Sequence, residues 1–239
     1  MLAVRARSTL RPDPYQGYWH TQGTSILDET GQTVRIAGVT WYGMESSYWV
    51  PAGLDFQPYN AIMDLVKRLG YNTIRLPYSN ELVESNPVVT EHVTANPQFR
   101  GVHAMEVMDA IVDYAHRIGL KIILDDHLSR ASRPKLVNWL LEPRWHTADY
   151  PESAWIHDWE TLARRYLHND AVIGFDLRNE PHTNGPGPWN LHAYQYQGAT
   201  WGLASRPMWR SPGLARRSSC RPAWVGGRAV PFVSSPRVW

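Results

Sequence analysis

The sequence predicts an α/β protein with a parallel β-sheet, because helix-like and strand-like segments alternate along residues 18–202. Three segments carry a single apolar stripe at the spacing of an amphipathic helix, and each stripe ends at a Gly or an Asn. A short apolar, β-prone run follows each of these stops. Helices that return the chain to the start of the next strand give parallel strands, so the three observations together predict the fold class.

A β-hairpin and a first strand precede the alternating region. Residues 23–28 and 33–39 are strand-like and flank a turn at residues 29–32. The second arm of this hairpin continues into Trp41 and Tyr42, where we expect the first strand of the sheet to end.

Three helices and three further strands then follow in turn. The loops over residues 81–101 and 128–151 are long, and residues 185–202 are expected to begin a fourth helix. The apolar stripes are Ile62, Leu65, Val66 and Leu69, then Met108, Ile111, Val112 and Ala115, and then Trp155, Trp159, Leu162 and Tyr166. The strands and the residues near their ends are 73–76 with Pro77, 121–124 with His127, and 172–177 with Glu180.

Asn179 and Glu180 follow the last apolar run, and Pro181 cannot continue a strand ladder. A carboxyl at the end of a buried strand is either paired or used in chemistry, because an isolated charge there is costly. The residues themselves leave both a surface ion pair and a catalytic role open for Glu180.

Four ordered motifs resemble glycoside hydrolase family 5, the cellulase-type retaining β-glycosidases, and the likeness covers about residues 18–202. The apolar strand ending in Asn179-Glu180-Pro181 carries the family's signature, and two earlier strand ends and the opening segment match as well. The opening resembles the bacterial endoglucanases in particular. The matching segments are Tyr18-Trp19-His20-Thr21 with residues 35–41, Ile74-Arg75-Leu76-Pro77-Tyr78, and residues 122–127 ending in Asp125-Asp126-His127.

The resemblance implies a TIM (β/α)8 barrel, of which this chain would hold about four βα units, a partial barrel followed by an irregular C-terminal tail. It also implies secretion, no cofactor, and a β-1,4-glucan polysaccharide or oligosaccharide as the binding partner. The long loops after the strands would then lie on the catalytic face of the barrel.

By the same resemblance, Glu180 is the general acid/base of a retaining double displacement, and Asn179 binds the sugar 2-hydroxyl. Arg75 would lie beside the nucleophile and keep it ionised, with a structural ion pair as the alternative. His127 would line the subsite at the cleavage point, with a capping or core position as its alternative.

Trp41 and Tyr42 are candidates for stacking on sugar rings, and core packing is the alternative for both. Asp125 and Asp126 are interpreted as groups that form ion pairs or anchor loops, since the family has no catalytic role at these positions. No His, Cys, Asp or Glu residues have the spacing of metal ligands, so the sequence predicts no metal site.

The predicted organisation has an irregular N-terminus over residues 1–17, a partial catalytic barrel over 18–202, and a tail over 203–239. The tail holds five Pro and seven Arg but no Lys, Asp or Glu, so it carries +7 of a net charge of +2, and the preceding residues carry −5. A change of reading frame is the favoured explanation, and a natural disordered tail is the alternative.

A retaining glycosidase needs two carboxyls, and residues 181–239 contain no Asp or Glu. The family's nucleophile strand is therefore expected to be missing, which puts turnover in doubt. A non-catalytic carbohydrate-binding remnant and a non-functional gene fragment are the competing interpretations.

A doubly wound nucleotide-binding sheet is disfavoured, because no Gly-rich turn follows the first strand. Nucleic-acid and membrane partners are not expected.

Overall fold

The computed structural model describes residues 17–132 and 146–180, together with two short strands in the C-terminal region. In chain order, the strands of the main body are β1 (His20–Gln22), β2 (Ser25–Leu27), β3 (Gly38–Thr40), β4 (Thr73–Ser79), β5 (Lys121–Leu128) and β6 (Val172–Asp176). The helices are α1 (Tyr59–Arg68), α2 (Asn80–Ser85), α3 (Ala104–Ile118) and α4 (Glu152–Arg165), with a 3-10 turn at Pro97–Phe99.

Strands β3 to β6 form one parallel sheet in the order β3-β4-β5-β6, which confirms the predicted α/β fold. Four parallel strands with helices between them agree with about half of an eight-stranded barrel. The strand bounds differ from the prediction at both edges of the sheet. Strand β3 covers only three residues, although the Trp41 N–H still donates to the Arg75 carbonyl, and β6 ends at Asp176 rather than at Glu180.

The predicted amphipathic helices form and pack on one side of the sheet, here called the helix face. The predicted stripe of α1 is partly wrong, because its buried residue is Met63, while Leu65 and Leu69 are exposed. Helix α3 begins with a capping interaction in which the Glu106 carboxylate accepts from the His103 N–H, 2.9 Å away, and Gly119 ends it in the left-handed conformation. Between the helices and the sheet, Trp159 makes edge contacts with Tyr78 of β4 and Phe175 of β6. These buried rings fix the distance between α4 and the strands.

The opposite side of the sheet, here called the inner face, is covered near the strand starts by the N-terminal segment. Trp19 packs with Ile123 and Ile173, and Lys121 extends beside it to donate to the Gly17 carbonyl at 2.7 Å. The described N-terminal segment therefore seals this end of the inner face and leaves the strand ends for other contacts.

Short helix α2 was not predicted. It begins directly after β4, where the Ser79 hydroxyl accepts from the Leu82 N–H at 3.2 Å and so caps the helix. The predicted long loop over residues 81–101 therefore begins inside a helix.

In the C-terminal region, β7 (Ala223–Val225) and β8 (Arg228–Val230) pair as an antiparallel ribbon. The rest of residues 203–239, residues 1–16 and the helix expected within 185–202 lie outside the described residues, so the predicted domain limits stay predictions. No helix in the part of the chain that the structure describes is long and apolar enough to cross a membrane.

Candidate active site

Three neighbouring strands bring polar side chains together on the inner face. Side chains alternate along a strand, so Asp125 and His127 share the inner face of β5 with Ile123. Asp125 pairs in register with Asp176 of β6, and Arg75 points from β4 toward both carboxylates. We use the name Arg75 cluster for five polar residues: Arg75, Asp125, His127, Asp176 and Asn179.

Arg75 is the centre of this cluster. Its Nε and Nη2 donate to Asp176 Oδ2 at 3.1 and 2.8 Å, and Nη2 also donates to Asn179 Oδ1 at 2.9 Å. The same Nη2 lies 2.9 Å from Asp125 Oδ1. Because Nη2 has only two hydrogens for three oxygens, the Asp125 contact is electrostatic rather than a directed hydrogen bond. The predicted structural ion pair of Arg75 is therefore present.

The charges in this cluster shift each other's pKa values. Burial acts to lower the pKa of Arg75, but the charges of Asp125 and Asp176 outweigh it and raise the pKa above its ordinary value. Burial, and then the like charge of Asp125, raises the pKa of Asp176 to about 6, although Arg75 opposes this change. Asp176 is thus a buried carboxyl whose pKa lies well above the ordinary range for an aspartate.

His127 joins the cluster to Asn179. Its Nδ1 lies 2.7 Å from Asp125 Oδ2, and its Nε2 lies 3.4 Å from Asn179 Nδ2. A carboxylate accepts and an amide nitrogen donates, so this network assigns the tautomer with the proton on Nδ1 and a lone pair on Nε2. Asn179 is therefore oriented from two sides, with its oxygen toward Arg75 and its nitrogen toward His127.

Glu180 follows Asn179 directly and is exposed at the end of this cluster. Its backbone has φ 40°, a left-handed conformation that is rare for a residue with a side chain. The carboxylate is near enough for its charge to contribute to the raised pKa of Arg75, after Asp125 and Asp176. The predicted residues Arg75, His127, Asn179 and Glu180 thus come together, with Arg75 within β4, His127 near the end of β5, and Asn179 and Glu180 beyond the end of β6.

The two candidate aromatic residues have different surroundings. Trp41 belongs to the buried core, and its indole N–H donates to the Ala52 carbonyl at 2.9 Å. This placement favours the packing alternative for Trp41. Tyr42 is 63% exposed and is the better placed of the two for contact with a ligand.

A second polar cluster lies on the helix face behind the first. It is formed by Arg178 and Asp126, and we call it the Arg178 cluster. Arg178 Nη1 is 3.2 Å from Asp126 Oδ1, and the two side chains are almost fully buried. Asn80 Nδ2 donates to Asp158 Oδ2 at 2.7 Å. Burial raises the pKa of Asp126 well above its ordinary value, while the Arg178 charge favours the ionised form. The prediction that Asp125 and Asp126 form ion pairs is confirmed.

Sequence reasoning missed Asp176 and Arg178, each of which supplies a charge to one cluster. Both lie in the segment that was interpreted as the end of an apolar strand. A signal was available, because two opposite charges that flank Leu177 must both be buried or paired if the strand is buried. Among the described residues, no three His, Cys, Asp or Glu side chains are grouped as metal ligands would be, and the prediction of no metal stays a prediction.

Comparison with known proteins shows what this chain is similar to. The sequence model of the cellulase family, glycosyl hydrolase family 5, matches residues 27–205. An endoglucanase of Paenibacillus polymyxa is 37% identical over 204 residues, covering 81% of this chain and 49% of the relative. The major extracellular endoglucanase of Xanthomonas campestris is 25% identical over 246 aligned residues, covering 98% of this chain and 49% of the relative.

Solved structures agree with the sequence comparison. A variant of an endocellulase from Pyrococcus horikoshii, in complex with cellotetraose, has a TM-score of 0.66 and 29% sequence identity to this chain. The superposition covers 81% of this chain and 53% of the endocellulase chain. This chain spans about half the length of the curated relatives it matches.

Proposed function

The chain belongs to glycosyl hydrolase family 5, the cellulase family, and we propose that its site is that of a glycoside hydrolase for β-1,4-glucan. The convergence of Arg75, His127 and Asn179 beside Glu180 is the observation that carries this proposal. The cellotetraose complex of the related endocellulase supports a β-linked glucose polymer or oligomer as the ligand. The name of the Xanthomonas campestris relative supports secretion.

In the proposed mechanism, Glu180 is the general acid/base of a retaining double displacement. Its carboxyl gives a proton to the leaving glycosidic oxygen and then accepts one from the attacking water. Asn179 meets the 2-hydroxyl of the sugar, and Arg75 and His127 hold the Asn179 amide in a fixed orientation for this contact. Exposed Tyr42 offers a ring for stacking on an outer sugar.

The second carboxyl is the critical question for turnover. Retaining enzymes place the nucleophile about 5 to 5.5 Å from the acid/base, and no Asp or Glu follows Glu180 in this sequence. On the inner face, Asp125 and Asp176 both engage Arg75. We therefore propose that the 239-residue chain binds glucan but hydrolyses it slowly or not at all.

The test measures binding and turnover separately in the purified chain. Cellotetraose binding is measured by calorimetry, and hydrolysis of soluble β-1,4-glucan by reducing-sugar release. We compare the wild type with Glu180→Gln and with a matched control, Glu160→Gln, which removes an exposed carboxylate on α4. Binding in the wild type and in the control supports the proposal, and the absence of binding in a folded wild type contradicts it.

The activity assay has a further informative outcome. Hydrolysis that falls by roughly 10²- to 10⁴-fold in Glu180→Gln, but not in Glu160→Gln, would show that the acid/base role is right. It would also show that a second carboxylate exists within the chain, and Asp125 and Asp176 would be the first to test, since Asp126 lies on the helix face. Binding without turnover would favour the carbohydrate-binding alternative, which the two paired inner carboxylates support.

A further inference from the structure

The Arg178 cluster has no part in the proposed mechanism, although it lies directly behind the residues that do. Asp126 is 0% exposed and Arg178 is 4% exposed, so the pair is sealed between the sheet and helix α4. Replacing such a buried ion pair by apolar residues of similar volume often leaves stability unchanged or raises it. Stability alone is therefore a weak reason for this pair to be present.

Three contacts from this side of the sheet fall on three consecutive residues. The Trp155 indole N–H of α4 donates to the Leu177 carbonyl at 3.1 Å. The Arg178 side chain pairs with Asp126. The Asn179 N–H then donates to the Asp126 carbonyl at 2.9 Å. Strand β6 has already ended at Asp176, so these contacts replace the strand ladder in holding the chain up to the active site.

The backbone immediately beyond these contacts is the part that needs support. Glu180 has φ 40°, and a residue with a side chain keeps such a conformation only where its surroundings fix it. A guanidinium–carboxylate pair fixes the direction of the chain as well as filling space, because its donors and acceptors meet in only a few geometries. Two apolar side chains would fill the same space and leave small shifts along the chain possible.

We propose that Asp126, Trp155 and Arg178 are positioning residues that hold Asn179 and Glu180 in the active site from the opposite face of the sheet. This inference rests on the proposed function, since it concerns the residues that would contact the sugar. The contacts act on the Leu177 carbonyl, the Arg178 side chain and the Asn179 N–H, so their effect reaches the site through the chain itself and not through the substrate.

The experiment removes the pair without leaving a buried charge. The double variant Asp126→Val with Arg178→Met keeps similar volumes and suits a strand at position 126, and Trp155→Phe removes one indole donor. Arg165→Met is the matched control, because Arg165 pairs with Asp109 on the surface of α3 and α4. Three quantities are measured for each variant: the thermal midpoint, the exchange rate of the Asn179 amide, and the dissociation constant for cellotetraose.

We expect the double variant to keep a thermal midpoint within a few degrees of the wild type. Its Asn179 amide should exchange at least about tenfold faster and its affinity for cellotetraose should fall at least about tenfold, corresponding to ~1.4 kcal/mol. Trp155→Phe should show the same changes at a smaller size, and Arg165→Met should show neither. In an Asn179→Ala background, the loss of affinity caused by the double variant should become smaller, because the Asn179 side chain is gone and only the effect through Glu180 remains.

An unchanged Asn179 exchange rate and affinity in a folded double variant would overturn the inference. A loss of affinity that persists in full in the Asn179→Ala background would also overturn it, because the pair would then act on the whole fold. If the double variant does not fold, Trp155→Phe with the same measurements decides the question. If the wild type binds no cellotetraose, the proposed function fails, while the exchange rate of the Asn179 amide still decides the positioning role.

Discussion

Asp125 and Asp126 are neighbours in the sequence, but their carboxylates lie on opposite faces of the same sheet and belong to different clusters. Asp125 meets Arg75 and His127 on the inner face, where the Arg75 side chain is still 26% exposed. Asp126 meets Arg178 on the helix face, where both side chains are at most 1% exposed. The comparison shows how one strand can serve a site that admits a ligand and a sealed cluster that holds the chain.

The difference lies in how much water reaches each charge. In the Arg75 cluster, one guanidinium serves two carboxylates and an amide, and solvent can reach the group. In the Arg178 cluster, the guanidinium faces Asp126 in a dry environment, where water cannot compensate for the loss of either group. The same kind of substitution should therefore have unequal effects on the two faces.

The largest effect is expected from Arg178→Met. This change leaves Asp126 buried without its cation, and breaking a buried pair in this way costs about 3–5 kcal/mol in the free energy of unfolding. Urea unfolding of the wild type and the variant at pH 8 measures the loss. The matched change Arg165→Met, at an exposed pair, should cost about 1 kcal/mol or less.

Equal losses in these two variants would show that the Arg178 cluster is not sealed. The loss in Arg178→Met should also shrink as the pH falls, because protonation of Asp126 removes the uncompensated charge. Burial already raises the pKa of Asp126 in the wild type, so this relief should begin well above the ordinary range for an aspartate.

A smaller effect is expected from Asp158→Asn, and it should depend on pH. Burial, with the charge of Glu84, raises the pKa of Asp158 to about 7, although the hydrogen bond from Asn80 opposes this shift. Folding thus favours the protonated form. Its contribution to stability is complete below the unfolded pKa of about 4 and is lost as the pH rises through about 7.

Asparagine at position 158 cannot ionise, so the variant avoids this loss. Asp158→Asn should be more stable than the wild type by about 2–4 kcal/mol at pH 8, and the gain should vanish as the pH falls toward about 4. Urea unfolding at several pH values measures this gain, with Asp113→Asn at an exposed position of α3 as the control. A gain that does not depend on pH would mean that Asp158 is already ionised at little cost in the folded protein.

The sequence predicted the alternating fold because apolar periodicity and Gly or Asn stops are local signals. It also predicted that Arg75, His127 and Asn179 meet, because it placed each of them near the end of a strand, and the ends of parallel strands meet at one edge. In the structure His127 and Asn179 lie near or beyond their strand ends, whereas Arg75 is the third of seven residues in β4. The family resemblance supplied their roles. Helix α2 also had a local signal, since Ser79 is a good first cap residue, but the loop-like composition after it concealed the helix.

The partners of Asp176 and Arg178, which lie on opposite faces of the sheet, could not be predicted in the same way. Which face a strand residue occupies depends on the register, and the pairing of β5 with β6 shifts between Ile122 and Ile123. One extra residue moves every later side chain to the other face. The shift therefore places Asp176 beside Arg75, and alternation alone would put Arg178 on that same face. Because β6 ends at Asp176, Arg178 lies instead on the helix face beside Asp126, which no pattern within β6 records.

The smallest effect on stability, and the largest contrast with binding, is expected from Arg75→Met. The variant leaves Asp125 and Asp176 facing each other without a cation, and the pKa of Asp176 should rise further because Arg75 no longer opposes its rise. Because the site is partly open to water, the free energy of unfolding should fall by only about 1–2 kcal/mol at pH 8 and by less at pH 5. Cellotetraose binding should nevertheless fall strongly, because Asn179 loses the donor that orients its oxygen.

Arg75→Lys is the informative second variant, since it keeps the charge but not the planar fork that donates to both Asp176 and Asn179. It should restore most of the stability and little of the affinity, as measured by urea unfolding and by calorimetry with cellotetraose. If Arg75→Lys restores both equally, then charge alone matters on the inner face, and the directed contact to Asn179 has no separate role.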